Sequence, residues 1–259
     1  MDYATMFDLT GRKALVVGGA GGIGRAAVGG LAAHGAEVVV ADVQADAAKA
    51  VADEVTVSGG SAQAYELNVL DPQAISQAVA DLDPVDILVL TAAVNVRKRM
   101  LDYTSEDFDK VIGLNLKSSF AMISAFGRGM AERGSGSIIA FTSIRSITVE
   151  PGQSAYAATK AGLLQVVRTA AAELGPQGVR VNAVAPGVVE TPLTQPILDN
   201  KEWADAYAAK SALGRWSKPD ELAGAVVYLA SDAASYVTGT QILVDGGWTA
   251  IDGRYDPPA

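Results

Sequence analysis

Short apolar runs, rich in valine, isoleucine and leucine, recur along the chain. They alternate with stretches whose apolar positions fall three and four residues apart. The runs at residues 13–17, 37–41, 85–90, 137–142, 179–184 and 241–244 are short and mostly continuous. Such runs predict strands covered on both faces. Between them, residues 22–34, 44–56, 73–82, 105–133, 154–174 and 219–230 read as helices. Strand alternating with helix predicts right-handed crossovers and an α/β fold, a doubly wound parallel sheet with helices on both faces. No Pro/Ser-rich linker, repeat or low-complexity tract interrupts the pattern, so residues 1–259 are expected to form a single domain. No apolar run approaches the roughly 18 residues of a membrane span.

Composition narrows the chemistry. The 259 residues are 49% hydrophobic and include 27 glycines, which suits a sheet buried on both faces. The formal net charge of −9 argues against broad electrostatic binding to nucleic acid. Cysteine is absent and His34 is the only histidine. A cysteine nucleophile, a disulfide framework and a Cys/His zinc site are therefore closed off, and no metal is expected. His34 itself reads as a surface or helix-end residue. Residues 1–8 have neither a basic flank nor an apolar core, so no signal peptide is expected, and a cytoplasmic location fits.

The first strand runs into a turn containing Gly18, Gly22 and Gly24. Glycines there let the backbone turn sharply and approach a pyrophosphate, which the N-terminus of the next helix attracts. Tight strand–helix turns need glycine in any case, so the context matters: this turn opens the first βαβ unit. Asp42 ends the second strand, within the expected interval of about 20 residues. Its carboxylate can accept both ribose hydroxyls of NAD and would repel the extra phosphate of NADP. Val43 follows, with no Arg or Lys beside it. Asp42 also suits a helix N-cap ahead of Gln44.

Tyr156 and Lys160 stand four apart in an Ala/Leu-rich helical stretch and so share one face. An ammonium beside a phenol favours the phenolate and lowers its pKa from about 10. Such a tyrosine can exchange a proton near neutral pH. Ser143 follows the apolar run 137–142, where it can hydrogen-bond a reacting oxygen. The pair alone also suits an ordinary surface tyrosine.

Taken together, Gly18, Gly22, Gly24, Asp42, Asn115, Ser143, Tyr156, Lys160, Pro186-Gly187, Thr191 and Asp245-Gly246-Gly247 resemble the short-chain dehydrogenase/reductase family, over nearly the whole chain. The resemblance implies a single-domain Rossmann-like fold, a homotetramer or homodimer, and nicotinamide-dependent oxidoreduction of an alcohol or ketone. It implies that Tyr156 is the acid/base and that Lys160 lowers its pKa and holds the nicotinamide ribose. Ser143 would orient the substrate oxygen, and Asn115 would hold a water linking Lys160 to solvent. Thr191 would bind the nicotinamide amide with the backbone of Val189 beside it. Ile23, Asn68, Val69, Ala92 and Pro186 would complete the cofactor wall. Three positions depart from the family pattern. Val17 replaces a threonine, Leu90-Thr91-Ala92-Ala93 replaces Asn-Asn-Ala-Gly, and Asn68 replaces an aspartate at the adenine.

Two basic features bear on the substrate. Arg97, Lys98 and Arg99 follow the fourth strand, and Arg145 lies two residues after Ser143. Arginine can grip a carboxylate or sulfonate in two places. Residues 97–99 also suit a solvated loop, and Arg145 a salt bridge to Glu150. The Asn-x-Arg-Lys stretch and the Asp245-Gly-Gly-Trp248 ending are similar to the family's sugar-acid dehydrogenases, of the gluconate 5-dehydrogenase type. The leading expectation is NAD-dependent oxidation of a polyhydroxylated, anionic small molecule, such as a sugar acid or sugar sulfonate. An acyl-carrier-protein-linked 3-oxoacyl reductase and a catalytically silent NAD-binding regulator are the alternatives. Residues 188–213, with Pro192, Pro196, Trp203 and Tyr207, are expected to form a substrate lid. Residues 249–259 are expected to form a flexible or partner-docked tail.

Overall fold

In a computed structural model, which describes residues 3–251, the chain folds as one seven-stranded sheet with every pairing parallel. The strands are β1 (Lys13–Val17), β2 (Glu37–Asp42), β3 (Ser61–Glu66), β4 (Ile87–Leu90), β5 (Gly136–Phe141), β6 (Val179–Pro186) and β7 (Gln241–Val244). Their order is β3-β2-β1-β4-β5-β6-β7. The chain winds outward in one direction from β1 to β3, then returns to β4 on the other side of β1. The loops leaving β1 and β4 therefore diverge, and a crevice opens above the carboxyl ends of those strands.

The helices are α1 (Gly22–Ala33), α2 (Ala45–Val57), α3 (Pro72–Leu82), α4 (Ser105–Ile112), α5 (Ser118–Arg133), α6 (Ser154–Leu174), α7 (Gln195–Leu198), α8 (Lys201–Ala208) and α9 (Ala223–Ala230). On one face of the sheet, Met122, Phe126 and Met130 of α5 and Leu163 and Val167 of α6 join a cluster with Leu88 and Ile138. On the other, Val28 and Leu31 of α1 and Val226 and Leu229 of α9 meet Val16, Val89 and Ile139. Odd and even strand positions thus face different layers. Each fully buried Leu, Ile or Phe contributes about 1.5–3 kcal/mol.

Three elements differ from the sequence expectation. Strand β3 (Ser-Ala-Gln-Ala-Tyr-Glu) has no apolar run, because it is an edge strand and largely exposed. The expected helix over 105–133 is broken by a π turn at Gly113–Lys117. That wider turn places Asn115 inside the protein at 1% exposure. The expected helix over 219–230 begins as a 3-10 turn at Pro219–Leu222.

Between β6 and α9 the chain leaves the sheet. There α7 and α8 carry a small apolar cluster of Val188, Ile197, Tyr207 and Trp216. A parallel bridge between Val189 and Ser217 closes the base of this excursion. Of the expected tail, residues 252–259 lie outside the described residues.

Candidate active site

The glycine turn shows why two of its positions tolerate nothing larger. Gly18 has φ +78°, and a Cβ there would stand 2.8 Å from the Ala92 nitrogen. A Cβ on Gly24 would stand 2.1 Å from the Gly18 carbonyl oxygen. The turn delivers the chain to α1, whose cap Gly21 has no side-chain hydrogen bond to the first turn. The first-turn N–H groups therefore lack a side-chain acceptor and face the crevice as an anion site.

Asp42 lies across the end of this turn. One carboxylate oxygen accepts from the Ala20 N–H at 3.2 Å and the other from the Gln44 N–H at 3.1 Å. The carboxylate therefore braces the glycine loop and closes a turn onto Gln44, which is itself the N-cap of α2 in place of Asp42. A groove of about 790 Å³ runs from Asp42 past Asn68, Val69, Ala92 and Gly22 to Thr191. No arginine or lysine lines it. Asn68 accepts from the Leu70 N–H at 3.0 Å through its Oδ1, which leaves its amide N–H groups without a partner among the described residues.

The Leu90–Ala93 departure has a structural replacement. The Thr91 hydroxyl lies 2.8 Å from the Val17 carbonyl and 3.1 Å from the Gly18 carbonyl. It ties the end of β4 to the glycine turn at the point where the family pattern puts an amide side chain.

The groove continues into a narrower cavity of about 100 Å³, with Ile23, Thr91, Ala93, Thr191 and Leu193 lining both. Ser143, Tyr156, Lys160, Pro186 and Val189 line the inner part. Ser143 stands just past the end of β5, Tyr156 in the first turn of α6, and Lys160 one turn later. The structure brings these three together at the carboxyl end of the sheet, beside the groove.

Their electrostatics depart from the expectation in one respect. Burial pushes the Tyr156 phenol up, opposed by a hydrogen bond with the Ser143 side chain and by the charges of Arg145 and Arg97. The Lys160 ammonium sits 5.5 Å from the centre of the Tyr156 ring and donates to the Phe141 carbonyl at 2.7 Å. Burial pulls Lys160 itself down to about 8. Ser143 and the two arginines thus oppose the effect of burial on the phenol.

Asn115 ties two elements together. Its amide nitrogen donates to the Val94 carbonyl at 2.8 Å and to Thr159 Oγ1 at 3.3 Å, and its oxygen accepts from the Val94 N–H at 2.8 Å. The side chain pins the loop after β4 against α6.

Beyond Tyr156 lies a cluster built around the two arginines. Glu150 accepts from Arg145 at 2.6 Å and from Arg97 at 3.3 Å. Gln153 and the Tyr207 hydroxyl also donate to it. Both arginines are therefore paired, as the salt-bridge reading of Arg145 expects. Lys98 pairs with Asp107 at 2.5 Å, away from this cluster. The Arg97 guanidinium lies 5.2 Å from the centre of Trp203, and Arg145 5.7 Å from that of Trp248. Tyr207 stacks on Trp216 at 5.8 Å and meets Trp248 edge-on at 5.5 Å. Gln153 carries no motif, and the meeting of Tyr207 and Trp248 with this cluster escapes sequence reasoning because their contacts join distant segments. Tyr207 reaches Glu150 across 57 residues.

A parallel sheet with a glycine-turn crevice, meeting a Ser/Tyr/Lys site at its floor, defines a dinucleotide-binding oxidoreductase. The comparisons agree. A family model described as enoyl-(acyl carrier protein) reductase matches residues 18–249. The gluconate 5-dehydrogenase of Gluconobacter oxydans is 33% identical, covering 96% of this chain and 99% of its own. The 3-oxoacyl-(acyl-carrier-protein) reductase of Thermotoga maritima is 36% identical, covering 92% and 98%. A crystal structure of a gluconate 5-dehydrogenase from Burkholderia cenocepacia, in complex with NADP and tartrate, superposes with a TM-score of 0.92 at 32% identity, covering 96% of this chain and all of that one. The chain belongs to the short-chain dehydrogenase/reductase family and is an oxidoreductase acting on CH–OH groups.

Proposed function

We propose that the protein is an NAD-dependent dehydrogenase that oxidises a secondary alcohol of a polyhydroxylated, anionic small molecule, such as a sugar acid or sugar sulfonate. One observation carries the reading: a paired-arginine cluster lies next to Tyr156, close enough for both guanidinium charges to act on its phenol. An anion entering there meets two cations shared by one carboxylate, and both sit against aromatic rings.

The residues of the groove fit a dinucleotide. Gly18 and Gly24 let the turn pack closely on itself and on the end of β4, so that main chain borders the groove, and the first turn of α1 offers its N–H groups to a pyrophosphate there. Asp42 is placed to accept the ribose hydroxyls, and with no lysine or arginine in the lining it disfavours a ribose phosphate. Asn68 offers its amide to the adenine. Thr191 and Val189 are proposed to hold the nicotinamide amide, with Ile23, Ala92 and Pro186 as walls. When bound, NAD supplies the acceptor for the hydride leaving the substrate carbon.

The chain's own groups do the proton chemistry. Ser143 holds the substrate oxygen beside the Tyr156 hydroxyl, and the Tyr156 phenolate takes the hydroxyl proton. Lys160, anchored on the Phe141 carbonyl, is placed to donate to the ribose and to relay the proton onward. Asn115 acts by fixing the loop after β4, which carries Arg97. The excursion over residues 188–213 serves as the lid, latched by Tyr207 to Glu150. Among the described residues no helix is long and apolar enough to cross a membrane. The proposal places the enzyme in the cytoplasm as a homotetramer or homodimer, by family resemblance.

Similarity to several 3-oxoacyl-(acyl-carrier-protein) reductases supports a second reading, reduction of a 3-oxoacyl-(acyl-carrier-protein) with NADPH. The test is a panel of sugar acids, sugar sulfonates and alditols with NAD, followed by NADH absorbance. Turnover of a polyhydroxylated acid with NAD supports the proposal. Reduction of a 3-oxoacyl thioester by NADPH, with no polyol or sugar acid oxidised, overturns it.

A further inference from the structure

Next to the arginine cluster a chain of amides runs from Glu150 towards the loop after β4, and its direction is fixed at one end. A carboxylate only accepts hydrogen bonds. Gln153 must therefore turn its Nε2 to Glu150. Its Oε1 then faces Asn95 and accepts from Asn95 Nδ2 at 3.0 Å. This leaves Asn95 Oδ1 as the far end of the relay. That oxygen is buried and has no hydrogen-bond partner among the described residues. It is the only side-chain nitrogen or oxygen there in that condition.

Orphaned buried acceptors are rare because they forfeit a hydrogen bond to water without a replacement. This one stands where a ligand is expected. Gln153 is the cap residue of α6, three positions before Tyr156. Val94, next to Asn95, is clamped through both its N–H and its carbonyl by the buried Asn115 amide. Arg97, two residues on, shares Glu150 with Arg145. The acceptor thus belongs to the loop that carries Arg97, one amide away from the carboxylate that holds both arginines.

We infer that Asn95 is a specificity-determining residue whose Oδ1 accepts a hydrogen bond from one substrate hydroxyl other than the reacting one. Glu150 sets its polarity through Gln153. The inference rests on the proposed reading that the substrate is polyhydroxylated. The same Glu150 then serves two kinds of selection. It holds the arginines for an anionic group and orients the amide relay for a neutral donor. A substrate lacking that hydroxyl leaves the Asn95 oxygen buried and unpaired, which is the situation in which a hydrogen-bonding site discriminates most strongly.

The test compares D-gluconate with its monodeoxy analogues in wild type and in Asn95→Leu, with NAD, as the fold-loss in kcat/KM for each missing hydroxyl. For one analogue the wild type is expected to lose about tenfold or more. In Asn95→Leu that same penalty should fall to within about twofold of none, while the penalties at other carbons stay as they were. Asn95→Ala carries the same comparison if Asn95→Leu does not fold. Equal penalties in wild type and variant at every position, including none in either, overturn the inference. If the wild type oxidises alditols and no sugar acid, the anionic reading fails, and the deoxy comparison on alditols still decides the role of Asn95.

Discussion

The groove beside β1 and the proposed substrate chamber, the side-chain cluster beyond Tyr156, are built from different materials. The groove is main chain and small side chains. Gly18, Gly22 and Gly24 let its turn pack tightly, and Asp42 is its charged end. The chamber is made of long side chains that reach in from separate segments: Arg97 from the loop after β4, Arg145 and Glu150 from the loop after β5, Tyr207 from α8, and Trp248 from the end of the chain. A site made of backbone geometry accepts a ligand common to many enzymes. A site made of converging side chains can change its ligand with a few substitutions while the sheet stays as it is.

The two regions meet at Tyr156, so its loss gives the largest effect. Tyr156→Phe is expected to lower kcat by about 10²- to 10⁴-fold while the NADH dissociation constant stays within about threefold. Fluorescence titration and initial rates check the two halves of that statement. Equal losses in binding and turnover would show that groove and chamber are one unit.

Next in size is Gly24→Ala. Its Cβ would collide with the Gly18 carbonyl, so a destabilisation of about 3 kcal/mol with loss of NADH binding is expected. Thermal melting with and without NADH measures both. Asp42→Ala should be milder, costing about tenfold in kcat/KM for NAD and narrowing the gap to NADP, with KM for the alcohol substrate little changed. Kinetics with the two cofactors decides it.

The smallest effect concerns pH. With Tyr156 as the proposed base, oxidation needs its phenolate, so the rate is expected to rise with pH through the tyrosine's ionisation. Burial raises that pKa, and Arg145 opposes the rise. Removing the charge in Arg145→Gln should move the acid limb of the kcat/KM profile to higher pH. A limb that stays put would mean that Arg145 does not act on the phenol.

The same contrast explains what the sequence discloses. Strands β1, β4 and β5 are buried on both faces, so each is built around a short apolar run and is visible as one, and β6 keeps enough apolar positions to be read despite Arg180 and Asn182. Edge strand β3 is released from that demand and carries no signal. The Tyr156–Lys160 spacing and the glycine turn are local, set by one helical turn or one tight corner. The π turn at Asn115 is invisible, because its cause is the distant Val94 backbone that the amide grips. Likewise, Arg145 stands out as a charge in an apolar context, but nothing near it announces Tyr207 or Trp248. Lys160 is legible as a partner of Tyr156, yet its anchoring on Phe141 depends on how α6 lies against β5.

The claim that the chamber selects an anion is tested most directly by one ratio in the wild type. This is kcat/KM for D-gluconate over kcat/KM for D-glucitol, both measured with NAD. The two differ only in whether the terminal carbon is a carboxylate or a CH₂OH group. Engagement of Arg97 and Arg145 predicts a ratio of about ten or more. A ratio near one, or one favouring the alditol, would contradict it.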